Sequence, residues 1–255
     1  MNFIISASTD VGIKKSTNQD SLSIKTVMTN QGRMTFAIIC DGMGGLSKGE
    51  VASASVVNAF NDWLINNFPL LCGAPIEDDV IKEQWETIII RQNEKIINYG
   101  KRHGINLGTT LVAMLLTGQR YYIMNVGDSR AYELTTELKQ ITNDQTLVAR
   151  EIQQGNITKE EAAEDPRRNI LLQCIGASNE IFPDMFCGSS RYNAVYMLCS
   201  DGFVHRITLE EIFDNLQPEV LLDADTMKKN TNRLIELNKL RQEQDNISVA
   251  LVRSF

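Results

Sequence analysis

The stretch "FAIICDGMGGLSKGE", Phe36–Glu50, poses the question on which the fold turns. Apolar residues Phe36 to Cys40 run into Asp41, after which glycines at 42, 44 and 45 precede LSKGE. A continuous apolar run of this kind reads as a strand buried on both faces. The loop after it either cradles phosphates with its backbone or offers the Asp41 carboxylate to a cation. A Walker loop requires Ser or Thr directly after its Lys, and Lys48 is followed by Gly49. In the dinucleotide pattern, Gly42 and Gly44 fill the first two glycine positions, but the third falls on Ser47, so that fingerprint fails too. Ser47 and Glu50 form an S-x-x-E capping box, which predicts a helix starting there.

Outward from this stretch, strand-like segments fall at about 3–9, 21–28, 34–40, 110–116, 121–126, 131–134, 195–200 and 247–253. The helix after Ser47 carries Ala52, Val56, Ala59, Phe60, Trp63 and Leu64 on one stripe. A second carries Ile81, Trp85, Ile88, Ile89 and Ile96 and is expected to stop near Gly100. A polar, helix-prone stretch at about 146–163 reads as a surface excursion, and about 209–242 mixes helices with a charged face. Strands bracketed by long helices predict an α+β fold with β-sheets packed face to face and helices outside. No repeat or linker divides the chain, so residues 1–255 are read as one domain.

Composition narrows the function. A net charge of −7 with no Lys/Arg block excludes a binder of nucleic-acid backbone. No apolar segment is long enough to span a membrane, and MNFIISASTD turns polar too early for a signal peptide, so a cytoplasmic protein is expected. The five cysteines, Cys40, Cys72, Cys174, Cys187 and Cys199, include no C-x-x-C pair and read as buried free thiols. With His103 and His205 as the only histidines, a His triad or His-rich zinc site is hard to assemble.

The aspartates carry the chemistry. Asp41 follows FAIIC, Asp201 follows VYMLCS, Asp128 follows YYIMNV and Gly127, Asp245 precedes the last strand, and Asp20 precedes SLSIKTV. Singly, each could be an ordinary turn residue. Converging, they would crowd negative charge and need a cation; oxygen-only donors suit Mg²⁺ or Mn²⁺. At Gly42 the missing Cβ would let a carbonyl approach such an ion.

In order along the chain, "DVGIKKSTNQD", "CDGMGG", "GTTLV", "VGDSRAY", "SDGF" and "QDNISVALV" resemble the metal-dependent serine/threonine protein phosphatases of type 2C, the compact bacterial members in particular. The resemblance implies a four-layer αββα arrangement, a central sandwich of two antiparallel sheets flanked by helices. It implies two ions, Mn²⁺ or Mg²⁺, at one edge, and in some members a third. By match, Asp41 bridges the ions, the Gly42 carbonyl binds one, and Asp201 and Asp245 bind the other. Asp20 matches an acid that holds metal-bound waters, and Asp128 a position of the third, weaker site. The implied reaction is attack of a metal-bridging hydroxide on phosphoserine or phosphothreonine, with no covalent intermediate. The implied partners are phosphoproteins, the substrates of a serine/threonine kinase, met by a monomeric enzyme. Residues at about 144–178 are similar to the family's flap.

This chain departs from the family at several positions. Lys15 replaces the usual Arg that grips the phosphate, keeping the charge but losing the bidentate fork. Gln19 stands for Glu, Met43 for the His of animal members, Gln145 for a His, and Asp165 for a flap His. Lys15 leaves room for a rival reading, a pseudophosphatase that binds phosphoproteins without turnover; Asp41, Asp201 and Asp245 oppose it.

Overall fold

The computed structural model describes residues 1–44 and 48–255. The chain opens with strands β1 (Phe3–Asp10), β2 (Ser21–Thr29), β3 (Gly32–Cys40) and β4 (Gly42–Gly44). Helices α1 (Gly49–Asn66), α2 (Phe68–Leu71) and α3 (Asp78–His103) follow. Strands β5 (Leu107–Thr109), β6 (Leu111–Leu116), β7 (Arg120–Val126), β8 (Arg130–Leu134) and β9 (Leu138–Gln140) come next. Helices α4 (Leu147–Gln153) and α5 (Lys159–Glu164) lead to β10 (Asp184–Ser189) and β11 (Ala194–Cys199). The chain closes with α6 (Asp201–Val204), α7 (Leu209–Leu216), α8 (Ala224–Leu240) and β12 (Ile247–Ser254).

Two five-stranded sheets form, in the orders β1-β12-β11-β8-β9 and β10-β7-β6-β3-β2, and every pairing in them is antiparallel. The alternation within β3 shows why its sequence is apolar throughout. Ala37 and Ile39 point between the sheets, where they meet Val112, Leu198 and Val252. Phe36, Ile38 and Cys40 point the other way, under Val56 and Phe60 of α1 and Trp85 of α3. The second sheet repeats the pattern, with Met197, Cys199 and Leu251 packed beneath Phe203, Ile212 and Leu234. Three apolar layers therefore separate four layers of backbone, the αββα arrangement expected from the sequence.

Several local readings are corrected. The helix of Trp85 runs past Gly100 and stops at Gly104, whose φ of 65° is the left-handed conformation that ends a helix. Gly100 therefore lies inside the helix, and the position takes glycine because an added Cβ would collide with the Ile105 carbonyl. The capping box at Ser47 lies outside the described residues; α1 itself starts at Gly49, with Lys48 at its N-cap position. The stretch at 146–163 is helical as expected, in two short helices each capped by a threonine, Thr146 and Thr158. Strands β4, β5, β9 and β10 were not expected. The first three are only three residues long, and DMFCGS of β10 is an edge strand too polar and glycine-broken to show alternation. All five cysteines are free, and four are buried as expected, but Cys187 is exposed on that edge strand. No described helix is long and apolar enough to cross a membrane.

Candidate metal and phosphate site

Strand register brings the aspartates to one end of the sandwich. Ser21 pairs with Cys40, so Asp20 and Asp41 leave adjacent strands side by side. In the facing sheet Cys199 pairs with both Val249 and Arg130, which delivers Asp201, Asp245 and Asp128 to the same end. The backbone there is tied down. The Asp41 N–H donates to Thr110 Oγ1 at 3.0 Å, and its carbonyl accepts from Thr110 N and Thr109 Oγ1, both at 2.9 Å. Thr110 Oγ1 also bonds Ser129 Oγ at 2.7 Å, next to Asp128.

Glycine and asparagine make the remaining close approaches. A Cβ on Gly42 would overlap the carbonyls of Gln19 and Gly49, and one on Gly202 would overlap that of Asn246. Asn246 is the brace of this corner: its Oδ1 accepts from Gln19 N at 2.8 Å and its Nδ2 donates to the Val11 carbonyl at 2.9 Å. Lys15, on the loop so held, places Nζ 3.0 Å from Asp245 Oδ1.

The electrostatics are those of crowded, buried acids. Burial pushes the Asp20 carboxyl up to about 7, with Asp201 and Asp245 adding to the rise, although Ser248 and Ser200 donate to its Oδ2 at 2.5 and 3.1 Å. Asp128 is likewise pushed to about 7 by burial, then by Asp201 and Asp144. Asp41 is raised well above the carboxylate range by burial and then by Asp20, Asp201, Asp128 and Asp245. Asp201 is raised by burial, and a nearby His205 restrains the shift. Asp20 Oδ1 and Asp201 Oδ1 are buried without a hydrogen-bond partner among the described residues. An orphaned buried carboxylate oxygen is costly unless a cation meets it. Among the described residues no three His, Cys, Asp or Glu side chains are drawn into ligand geometry about one point. The fit to a hard divalent cation thus rests on oxygen donors, mutual repulsion and the two orphaned oxygens. Cys40 offers no nucleophile here, because burial, Asp20 and Asp41 push its thiol well up.

Sequence reasoning missed two neighbours of the cluster. His205 Nε2 lies 3.4 Å from Asp201 Oδ2, and its Nδ1 lies 3.5 Å from Glu243 Oε2. The available signal was one of only two histidines four residues after Asp201, one helical turn away. Gln145, read only as a departure from a family His, is a buried junction. It accepts from Gly127 N at 2.8 Å and Gln173 Nε2 at 2.9 Å, and donates to Asp184 at 2.8 Å. It joins the Asp128 turn to the return of the 144–178 excursion, which is bridged to β5 through Thr109 and Ile175. Asp165 lies apart from the site, paired with Arg167 at 2.7 Å.

Comparison with known proteins finds similarity along most of the chain. The family model described as "Protein phosphatase 2C" matches residues 12–229. The serine/threonine phosphatase stp of Listeria innocua is 32% identical over 247 residues, covering 96% of this chain and 93% of that protein. The solved S. agalactiae serine/threonine phosphatase superposes with a TM-score of 0.85 at 31% identity, covering 100% of both chains. The catalytic domain of the serine/threonine protein phosphatase PstP, solved in complex with two manganese ions, superposes with a TM-score of 0.77 at 28% identity, covering 99% of each chain.

Proposed function

The chain belongs to the protein phosphatase 2C family, and on that premise we propose that it hydrolyses phosphoserine and phosphothreonine in proteins at this carboxylate cluster, with two divalent cations, Mn²⁺ or Mg²⁺. Serine/threonine phosphatase activity with metal dependence is the family's own chemistry; the residue roles are the proposal. Asp41, the Gly42 carbonyl, Asp201 and Asp245 would hold the two ions, Asp128 would help to hold a third, weaker one, and Asp20 would hold water beside them. The observation that carries this reading is the pair of orphaned buried oxygens, Asp20 Oδ1 and Asp201 Oδ1, amid carboxylates that raise one another's pKa.

The chemistry such ions supply when bound is a water acidic enough to lose its proton near neutral pH, and positive charge beside the phosphoryl oxygens. The protein's own part is to hold the acids and the substrate. Ser200 and Ser248 fix one oxygen of Asp20 and leave the other free to accept from water. Lys15, half-exposed beside Asp245, would meet the substrate phosphate at the rim. Lacking the Arg fork, it fixes charge more than orientation, so phosphate positioning relies more on the rest of the site.

Residues 1–255 are taken as one phosphatase domain, with the flap at about 144–178, acting as a cytoplasmic monomer on the substrates of a serine/threonine kinase. The test is hydrolysis of p-nitrophenyl phosphate and a phosphothreonine peptide by the purified chain, with Mn²⁺ and with chelator. Mn²⁺-dependent turnover of both, lost in Asp201→Asn, is expected. Peptide binding without turnover in Mn²⁺ would replace this reading with that of a phosphoprotein-binding pseudophosphatase.

A further inference from the structure

His205 and Glu243 stand against the cluster without a role in the scheme above. Glu243 is a buried acid, 4% exposed, just before Asp245. Its Oε1 accepts from the N–H of Gln244 at 2.8 Å and of Asp245 at 2.9 Å, so one carboxylate oxygen shapes the backbone that carries Asp245. Its Oε2 has no hydrogen-bond partner among the described residues and lies at ion-pair distance from two cationic groups, His205 Nδ1 at 3.5 Å and Arg206 Nε at 3.7 Å. The far side of the same imidazole faces Asp201 Oδ2 at 3.4 Å, while Asp201 Oδ1 is the oxygen left without a partner. A continuous line of contacts thus runs from the Asp245 backbone through Glu243 and His205 to Asp201. It joins two acids that come from different elements, the start of α6 and the turn before β12.

The backbone under this line is tied by hydrogen bonds and close packing. Asn238 of α8 donates to the Phe203 carbonyl at 2.8 Å, and its own carbonyl accepts from Glu243 N at 3.0 Å. Gly202 packs so closely on the Asn246 carbonyl that no Cβ would fit between them. The His205 ring lies between these two segments. Its contact with Oδ2 restricts how the Asp201 carboxylate can turn, while Oδ1 has no hydrogen-bond partner among the described residues. Groups that orient a ligand in this way set how well it binds, even though they never touch the ion.

We propose that His205 and Glu243 are positioning residues for the cation site, His205 orienting Asp201 and Glu243 holding both the ring and the Asp245 backbone. This inference rests on the reading of Asp201 and Asp245 as cation ligands. The test is isothermal titration of the full chain with Mn²⁺, beside the melting temperature in chelator and the Mn²⁺ dependence of phosphopeptide turnover. His205→Ala is expected to weaken Mn²⁺ binding about ten-fold, the lower end for a lost orienting partner. Excess Mn²⁺ should restore most of kcat, because the ligand itself remains. His205→Gln, which returns a donor to Asp201, should recover part of the affinity. Glu243→Gln keeps an acceptor for the two N–H groups and should weaken binding less than His205→Ala. In the double variant the two losses should not add, since both act along one line. Unchanged Mn²⁺ affinity in His205→Ala, with the parent chain binding normally, would overturn this inference alone. A parent chain that does not bind Mn²⁺ at all would overturn it together with the proposed function. A fall in chelator-state melting temperature that accounts for the whole loss of affinity would also overturn it, reducing His205 to a structural contact.

Discussion

Glu211 and Asp20 are both acids fixed by hydrogen bonds, yet the protein treats them in opposite ways. Glu211 closes the capping box of α7 with Thr208 and pairs with Arg241 at 2.6 Å. The Arg241 bond, then the Thr208 backbone N–H, hold its carboxyl low, at about 2. Asp20 sits in the sandwich end with two serine hydroxyls on one oxygen and nothing on the other, and burial raises it to about 7. The α7–α8 corner balances its charges within the chain. The sheet end leaves several acids unbalanced, which is tolerable in a folded protein only where something from outside completes the balance.

The sharpest way to break this contrast is to remove charge at the sheet end. Asp201→Asn should lower kcat/KM on a phosphothreonine peptide by about a hundred-fold or more. The same change should raise the melting temperature in chelator, because one of several mutually repelling buried acids is gone. A fall in both would mean that Asp201 is a structural acid like Glu211.

Gly202→Ala comes next. It forces a Cβ onto the Asn246 carbonyl and should cost about 1–3 kcal/mol in urea denaturation, the range for overpacking a fixed contact. Gln145→Ala should cost about as much as other buried hydrogen-bond losses, roughly 1–3 kcal/mol. Hydrogen exchange should quicken around Gln173 while strand β12 stays protected, separating the flap junction from the core.

A pH series sharpens the comparison further. Asp20 and Asp128 are raised from an ordinary carboxylate value near about 4 to about 7, so the folded state holds protons that the unfolded state releases. That contribution to stability is complete below about pH 4 and is lost as pH rises through about 7. In chelator the melting temperature should therefore be lower at about pH 8 than at about pH 5, by a few degrees. Saturating Mn²⁺ should close most of that gap, since ion binding favours the charged, folded form. The smallest effect belongs to the corner: Glu211→Gln should leave Mn²⁺ affinity and turnover unchanged, with only a slight fall in melting temperature.

Much of this was legible in the chain itself. The run FAIIC reads as a doubly buried strand because both of its faces are apolar, and Phe36/Ile38 and Ala37/Ile39 indeed enter different cores. Asp20, Asp41, Asp128, Asp201 and Asp245 were visible because each adjoins a strand. Strands β4, β5, β9 and β10 were not, since short or edge pairings depend on the partner strand more than on their own pattern. The pairing of His205 with Glu243 escaped notice because the two are 38 residues apart in the chain, and only folding sets them together.

Read without a fold, the chain yields an inventory: strand and helix periods, oxygen-only donors, and glycines where backbones meet closely. Which acids end unpaired, which are braced by serine, histidine or arginine, and that Lys15 lies against Asp245, emerge only on folding. The reason is physical. Periodicity is a local property that burial of apolar surface enforces along each element. The charge state of an acid is set by every group within a few ångströms, and strand register chooses those groups from distant parts of the chain.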